Sequence, residues 1–127
     1  MRVPMDVSRK AALENLLALH PPLHESIAAL RGFEWDSDVE LVSLSPLHIR
    51  AALAGFVDGD LGADDIEAWA NAIECRDDIE YSPEEPVGLA LDVLANPVLY
   101  GVLTTSLATE LMALLSAPSS GVRRKTK

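Results

Sequence analysis

Apolar residues in this chain recur at helical spacing in short segments, and proline or glycine closes most of them. Leu13, Leu16 and Leu17 form a stripe that stops at Pro21 and Pro22, because a residue before proline is pushed out of the helical region. Ser8 is a suitable N-cap for that helix. A second stripe, Leu23, Ile27 and Leu30, begins near Pro22 and ends at Gly32, a residue suited to a helix C-terminus. Ser45 and Pro46 supply a cap and a first-turn proline for Ile49, Ala52, Leu53, Phe56 and Val57. The turn Asp58-Gly59-Asp60-Leu61-Gly62 precedes a helix over 63–75, with Ile66, Trp69, Ala70 and Ile73 facing inward. Asp64, Asp65 and Glu67 suit the positive end of that helix. Ser82-Pro83-Glu84-Glu85 reads as cap, first-turn proline and capping box for Val87, Ala90, Leu91 and Leu94, and Asn96-Pro97 closes the segment. Thr104 or Thr105 caps a last helix with Leu107, Leu111, Leu114 and Leu115 inward, broken at Ala117-Pro118. Val39 and Leu41 alternate with polar neighbours, which hints at an extended piece. Nothing else reads as a strand to pair with it, so 33–43 is assigned to loop. The pattern predicts an all-α, single-domain bundle of five to six short helices over residues 1–118. A basic tail, 119–127, is expected to be disordered.

At 127 residues with 49% hydrophobic content, the chain can bury one self-sufficient core. Cys75 is the only cysteine, which excludes a disulfide framework and fits a reducing, cytoplasmic setting. No apolar run reaches spanning length, and Glu14 interrupts the best N-terminal apolar stretch, so neither a membrane span nor a leader is expected. The formal net charge is −10, and its distribution sharpens that figure. Between residues 11 and 122 only Arg31, Arg50 and Arg76 stand against 19 acids. Phosphate backbones and anionic membranes would be repelled, so neither is expected as a partner.

No sequence signature of catalysis or cofactor binding is present, and the chain is read as non-enzymatic, without cofactor or metal. Asp58-Gly59-Asp60 resembles the start of a calcium loop. The positions that would need glycine and a bidentate glutamate hold Ala63 and Trp69 instead. His20 and His24 have zinc-pair spacing, but Pro21-Pro22 breaks the helix between them and no third ligand follows beyond Glu25. His48 is isolated, and nothing nominates it as a base. Cys75 lies among Glu74, Asp77 and Asp78, which disfavour its thiolate.

Two surface features remain. From Asp58 to Glu85 the chain carries eleven acids and one base, Arg76. This belt is either solvated surface that also stabilises helix N-termini, or a docking face for a basic protein. In the docking reading Asp77, Asp78, Glu80 and Tyr81 are the contact residues, with Asp58, Asp60, Asp64 and Asp65 as rim. Trp69 lies on an apolar stripe and is expected in the core. From 93 to 122 only Glu110 is charged. That region is either core with a buried connection, or a homodimer interface.

The segment from Leu53 to Glu67, LAGFVDGDLGADDIE, resembles a helix-turn-helix segment of small acidic bacterial immunity proteins of the colicin type. The segment from Trp69 to Ile79, WANAIECRDDI, is similar to a WANxxExRDDI-like motif of uncharacterised small bacterial proteins, with Cys75 where glycine is expected. The resemblance implies a helical bacterial protein that binds and blocks a cognate toxin. Toxin-contacting residues vary in that family, so none is carried over. The expected function is therefore a non-enzymatic, acidic protein-binding module. The alternatives are a self-associating structural protein, or a small-ligand protein with a pocket between helices.

Overall fold

The computed structural model describes residues 5–19, 21–33 and 39–116, with side chains from Arg9 onward. Helix α1 spans Met5–Leu17, α2 Leu23–Ala29, and a 3-10 turn, Leu30–Gly32, extends α2. Strand β1 is Val42–Ser43, followed by α3, Pro46–Val57, and α4, Ala63–Glu74. Strand β2 is Ile79–Glu80, and α5 (Pro86–Ala95), α6 (Pro97–Tyr100) and α7 (Thr105–Ser116) complete the chain. The fold is helix-dominated. Helix α4 packs chiefly on α5, and α3 on α7. The expected tail, 119–127, lies outside the described residues.

Most residues of the inward stripes meet as expected, although Val57, at the end of α3, is exposed. Leu13, Leu16, Ile49, Leu53, Ile66, Ile73 and Leu91 are fully buried around Trp69. The Trp69 indole Nε1–H donates to the Leu16 carbonyl at 2.7 Å, so the largest core side chain also satisfies its polar atom. That carbonyl belongs to the last turn of α1 and also accepts the Leu19 N–H at 3.1 Å.

Several local expectations need correction. Helix α1 begins at Met5, which places Ser8 inside the helix rather than at its cap. The extended hint at 39–41 does have a partner. β1 pairs in parallel with β2, Val42 opposite Ile79 and Ser43 opposite Glu80. Two residues per strand are too short for a period-two signal, and the partner lies 37 positions away. Helix α5 starts at Pro86 with Glu85 as cap, not at Pro83. Pro86 has no N–H to continue a helix begun earlier, and the Glu85 N–H closes a turn onto the Ser82 carbonyl instead. Gly88 then lets α5 approach that turn, because a Cβ there would overlap the Ser82 carbonyl oxygen and the Pro83 backbone. The connection after α5 is not buried: Val98 is 97% and Leu99 74% exposed. Leu114, expected inward, is exposed as well, and Ala108 takes the buried place beside Leu111 and Leu115.

The largest departure is Asp78. Expected at a docking face, it is 0% exposed and cannot touch a partner. Arg9 Nε on α1 donates to its Oδ2 at 2.7 Å, and Arg76 Nε donates to its Oδ1 at 3.0 Å. Its backbone carbonyl accepts the Leu41 N–H at 2.8 Å. Burial by itself would raise the Asp78 pKa, but the hydrogen bonds and charges of Arg76 and Arg9 outweigh it and hold the carboxyl below the ordinary range.

Removing one side of a buried ion pair leaves the other charge uncompensated. Asp78→Ala should therefore destabilise the fold by about 3–5 kcal/mol in urea unfolding. The folded carboxyl titrates below an unfolded aspartate, so its contribution is complete above about pH 4 and declines as pH falls toward the lower folded value. The variant should show a flatter acid limb in a stability-against-pH series, and an unchanged limb would remove Asp78 as its cause. Gly88→Ala should cost about 1–3 kcal/mol through overpacking, read as a lowered midpoint in the same assay.

Candidate functional site

Helix α4 organises the acidic surface. Asp58 is the C-cap of α3, and Gly59 follows with φ of +88°, a left-handed turn that favours glycine. Asp60, Asp64 and Asp65 are exposed at the same end. Asp65 Oδ2 accepts the Gly62 N–H at 2.8 Å, so this acid also holds the first turn of α4. Asp77, Glu80 and Tyr81 follow the other end of the helix. Asp77 and Glu80 are exposed, and Tyr81 is half-buried. Glu80 Oε1 accepts the Ser43 hydroxyl at 2.7 Å, which fixes one carboxylate oxygen on the β1–β2 pairing.

The seven accessible residues of the expected face thus form two groups at opposite ends of α4, about 18 Å apart at the ordinary helical rise. What bridges them was not singled out in the sequence. Asp64, Glu67 and Glu74 follow helical spacing along one side of α4. Asp64 and Glu67 line a small cavity with Val93, Pro97, Val102 and Leu107, so this side looks toward α5 and the connection after it. Near the far end, Glu74 lies close enough to Asp92 of α5 to feel its charge. Burial pushes the Glu74 carboxyl upward, and the Asp92 charge pushes it further. Asp92 is itself held in place: the Tyr100 hydroxyl donates to Oδ2 at 2.7 Å and Asn96 Nδ2 to Oδ1 at 2.9 Å. The hydrogen bond to Asp92 raises the Tyr100 phenol pKa. Burial raises that of Tyr81, with Glu74, Asp92 and Cys75 adding to it. Neither Glu74 nor Asp92 has a cationic partner among the described residues.

Beside this carboxylate pair lies an apolar strip. Val98, Leu99 and Val102 project outward, and Tyr100 stands half exposed between them and Asp92. Helical spacing on α4 was a legible signal for Glu67 and Glu74. Nothing in sequence could bring Asp92 beside Glu74, since that depends on how α5 packs on α4.

The remaining candidates take structural roles or none. His48, at the third position of α3, accepts the Ser45 N–H on Nδ1 at 3.0 Å, and burial lowers its pKa. His24 is exposed, and His20 lies outside the described residues. Among the described residues no group of three or more His, Cys, Asp or Glu side chains is arranged to hold a metal, and no helix is long and apolar enough to cross a membrane. Comparison with known proteins finds no matching family, no matching curated protein and no matching solved structure.

The arrangement is suited to receiving a cation. Glu74 and Asp92 are close enough for one charge to act on the other, neither has a cationic partner among the described residues, and Tyr100 and exposed apolar residues lie beside Asp92. A raised folded pKa on an acid means that ionisation opposes the fold, fully so above that pKa. Glu74→Gln should accordingly raise the thermal midpoint at pH 7, and the advantage should vanish below about pH 4, where glutamate is protonated in both states. Equal midpoints at both pH values would show that Glu74 is not strained by Asp92.

Proposed function

We propose that this chain is a non-enzymatic protein-binding module, an immunity-like helical bundle that docks a basic partner protein. The observation that carries the reading is the unneutralised Glu74–Asp92 pair beside the exposed strip Val98, Leu99, Tyr100 and Val102. Interface energy concentrates in a few aromatic and apolar anchors, and surrounding charges govern encounter rate and partner choice. Here Tyr100 and Leu99 serve as anchors, and the half-buried Tyr81 lies after the C-terminal end of α4. A lysine or arginine of the partner takes the Glu74–Asp92 site. Asp77 and Glu80 at one end, and Asp58, Asp60, Asp64 and Asp65 at the other, form the steering rim. The lone cysteine and the resemblance to immunity proteins support a bacterial, cytoplasmic setting.

The test is capture from the native host's lysate at low salt, followed by binding kinetics on the basic protein recovered. Asp77→Asn with Glu80→Gln should slow association and flatten its salt dependence, because rim charges act through long-range attraction. Leu99→Ala should leave association unchanged and speed dissociation by about fivefold, the scale of a moderate anchor. A recovered protein whose kinetics ignore both changes does not bind here.

A second reading is favoured by the same strip. Val98 at 97% and Val102 at 66% exposure would equally suit a second copy, giving a homodimer through 93–122 as the alternative. Sedimentation across a dilution series separates the two: Leu99→Asp should abolish self-association if the strip closes on itself. A monomer at all concentrations leaves the strip to a different protein.

A further inference from the structure

The core is least closed at one place. Among its described residues Val87 at 8%, Leu115 at 7% and Leu44 at 6% keep the most exposure. All three line one groove of about 250 Å³, with Pro46, Tyr81 and Pro86 adding to its wall and Glu85 at its rim. The groove opens where β1 ends, where α3 and α5 begin and where α7 ends. Residues 117–127 follow α7 directly and lie outside the described residues. We propose that this segment folds back into the groove, in place of the disorder expected from its composition. Val122 then sits on Leu44, Val87 and Leu115, and the bases that follow it lie on Glu80, Glu84 and Glu85.

Reach, apolarity and charge each fit this occupant. Leu115 is both a wall of the groove and the next-to-last residue of α7, so the segment starts at the groove. Val122 follows Ser116 by six residues, a distance of about 20 Å fully extended and about 13 Å for a flexible chain. Pro118, Ser119, Ser120 and Gly121 carry the chemistry that lets a chain reverse. Val122 is the one large apolar side chain in 117–127, and on this groove it removes the remaining edges of three core residues from water. Pro46 and Pro86 stand in the first turns of α3 and α5, whose positive ends oppose a cation on the groove floor. Residues 117–122 meet that condition, since none is charged. The next five residues carry four bases and no acid. Glu80, Glu84 and Glu85 are exposed, and none has a cationic partner among the described residues. A link this short holds the segment at an effective concentration on the order of millimolar, so a weak contact is enough to keep it docked. Where the proposed function holds, the segment competes with the basic partner for the Glu80 end of the rim; the docking itself is independent of that reading.

The test uses the full chain and trypsin, which cuts after Arg123 and Arg124, with the free peptide 117–127 as the reference in every buffer. Cleavage of the full chain at these bonds should be about fivefold slower than in the peptide, which corresponds to a docked contact whose Kd is about fourfold below the effective concentration of the link. Val122→Ser, a change outside the described helices, should restore the rate of the peptide. Salt at about 0.5 M should reduce the protection, because exposed charge contacts are screened. Methyl NOEs from Val122 to Leu44, Val87 or Leu115 should accompany it. Cleavage of the full chain at the rate of the peptide overturns the proposal. So does protection that Val122→Ser or added salt leaves unchanged. Protection that rises with protein concentration, or Val122 NOEs found only between differently labelled copies, also overturns it, because a second copy then occupies the groove.

Discussion

Asp78 lies where a carboxylate can stay only with cations around it. Arg9 reaches it from α1 and Arg76 from the end of α4, while its main chain accepts Leu41 beside the strand pairing. One residue therefore joins the N-terminal helix, the C-terminus of α4 and the two-residue sheet. An ion pair of this kind adds little compared with well-packed apolar residues of the same volume, yet breaking one side of it is costly. Its effect is to specify position. The chain after α4 must turn so that Asp78 points inward, and that sets Asp77, Glu80 and Tyr81 where they lie at the surface.

The two sides of α4 then acquire opposite character. One side carries Asp64, Glu67 and Glu74 toward α5, where Asp92 and Tyr100 complete an acidic site beside exposed apolar residues. The other presents Ala68, Asn71, Ala72, Cys75 and Arg76 to α2 and is free of acids. The inward stripe, Ile66, Trp69, Ala70 and Ile73, lies between them. A single helix thus separates an acidic side from a side whose lining residues include no acid, by burying its third face.

Much of the helical framework was legible in the sequence. The segments of α3, α4 and α7 follow from apolar residues at spacings of three and four and from nearby breakers. A helix is built from hydrogen bonds four residues apart, so its signal is local. Trp69 was legible as core for the same reason. The start of α5 was misplaced by three residues because two prolines compete for the first turn, and Gly88, buried against the Ser82–Pro83 backbone, decides between them. The strand pairing escaped because two residues cannot show alternation.

The sequence by itself determined where most of the helices form, most of each inward stripe and how acidic the chain is, since all three depend on residue type and short-range spacing. Tertiary structure alone decided which acid is buried between arginines and which two acids come close enough to feel each other's charge. It also decided that the uncharged stretch after α5 projects outward. Those outcomes depend on contacts between residues as far apart as Arg9 and Asp78, 69 positions along the chain, and no local pattern encodes the packing that brings them together.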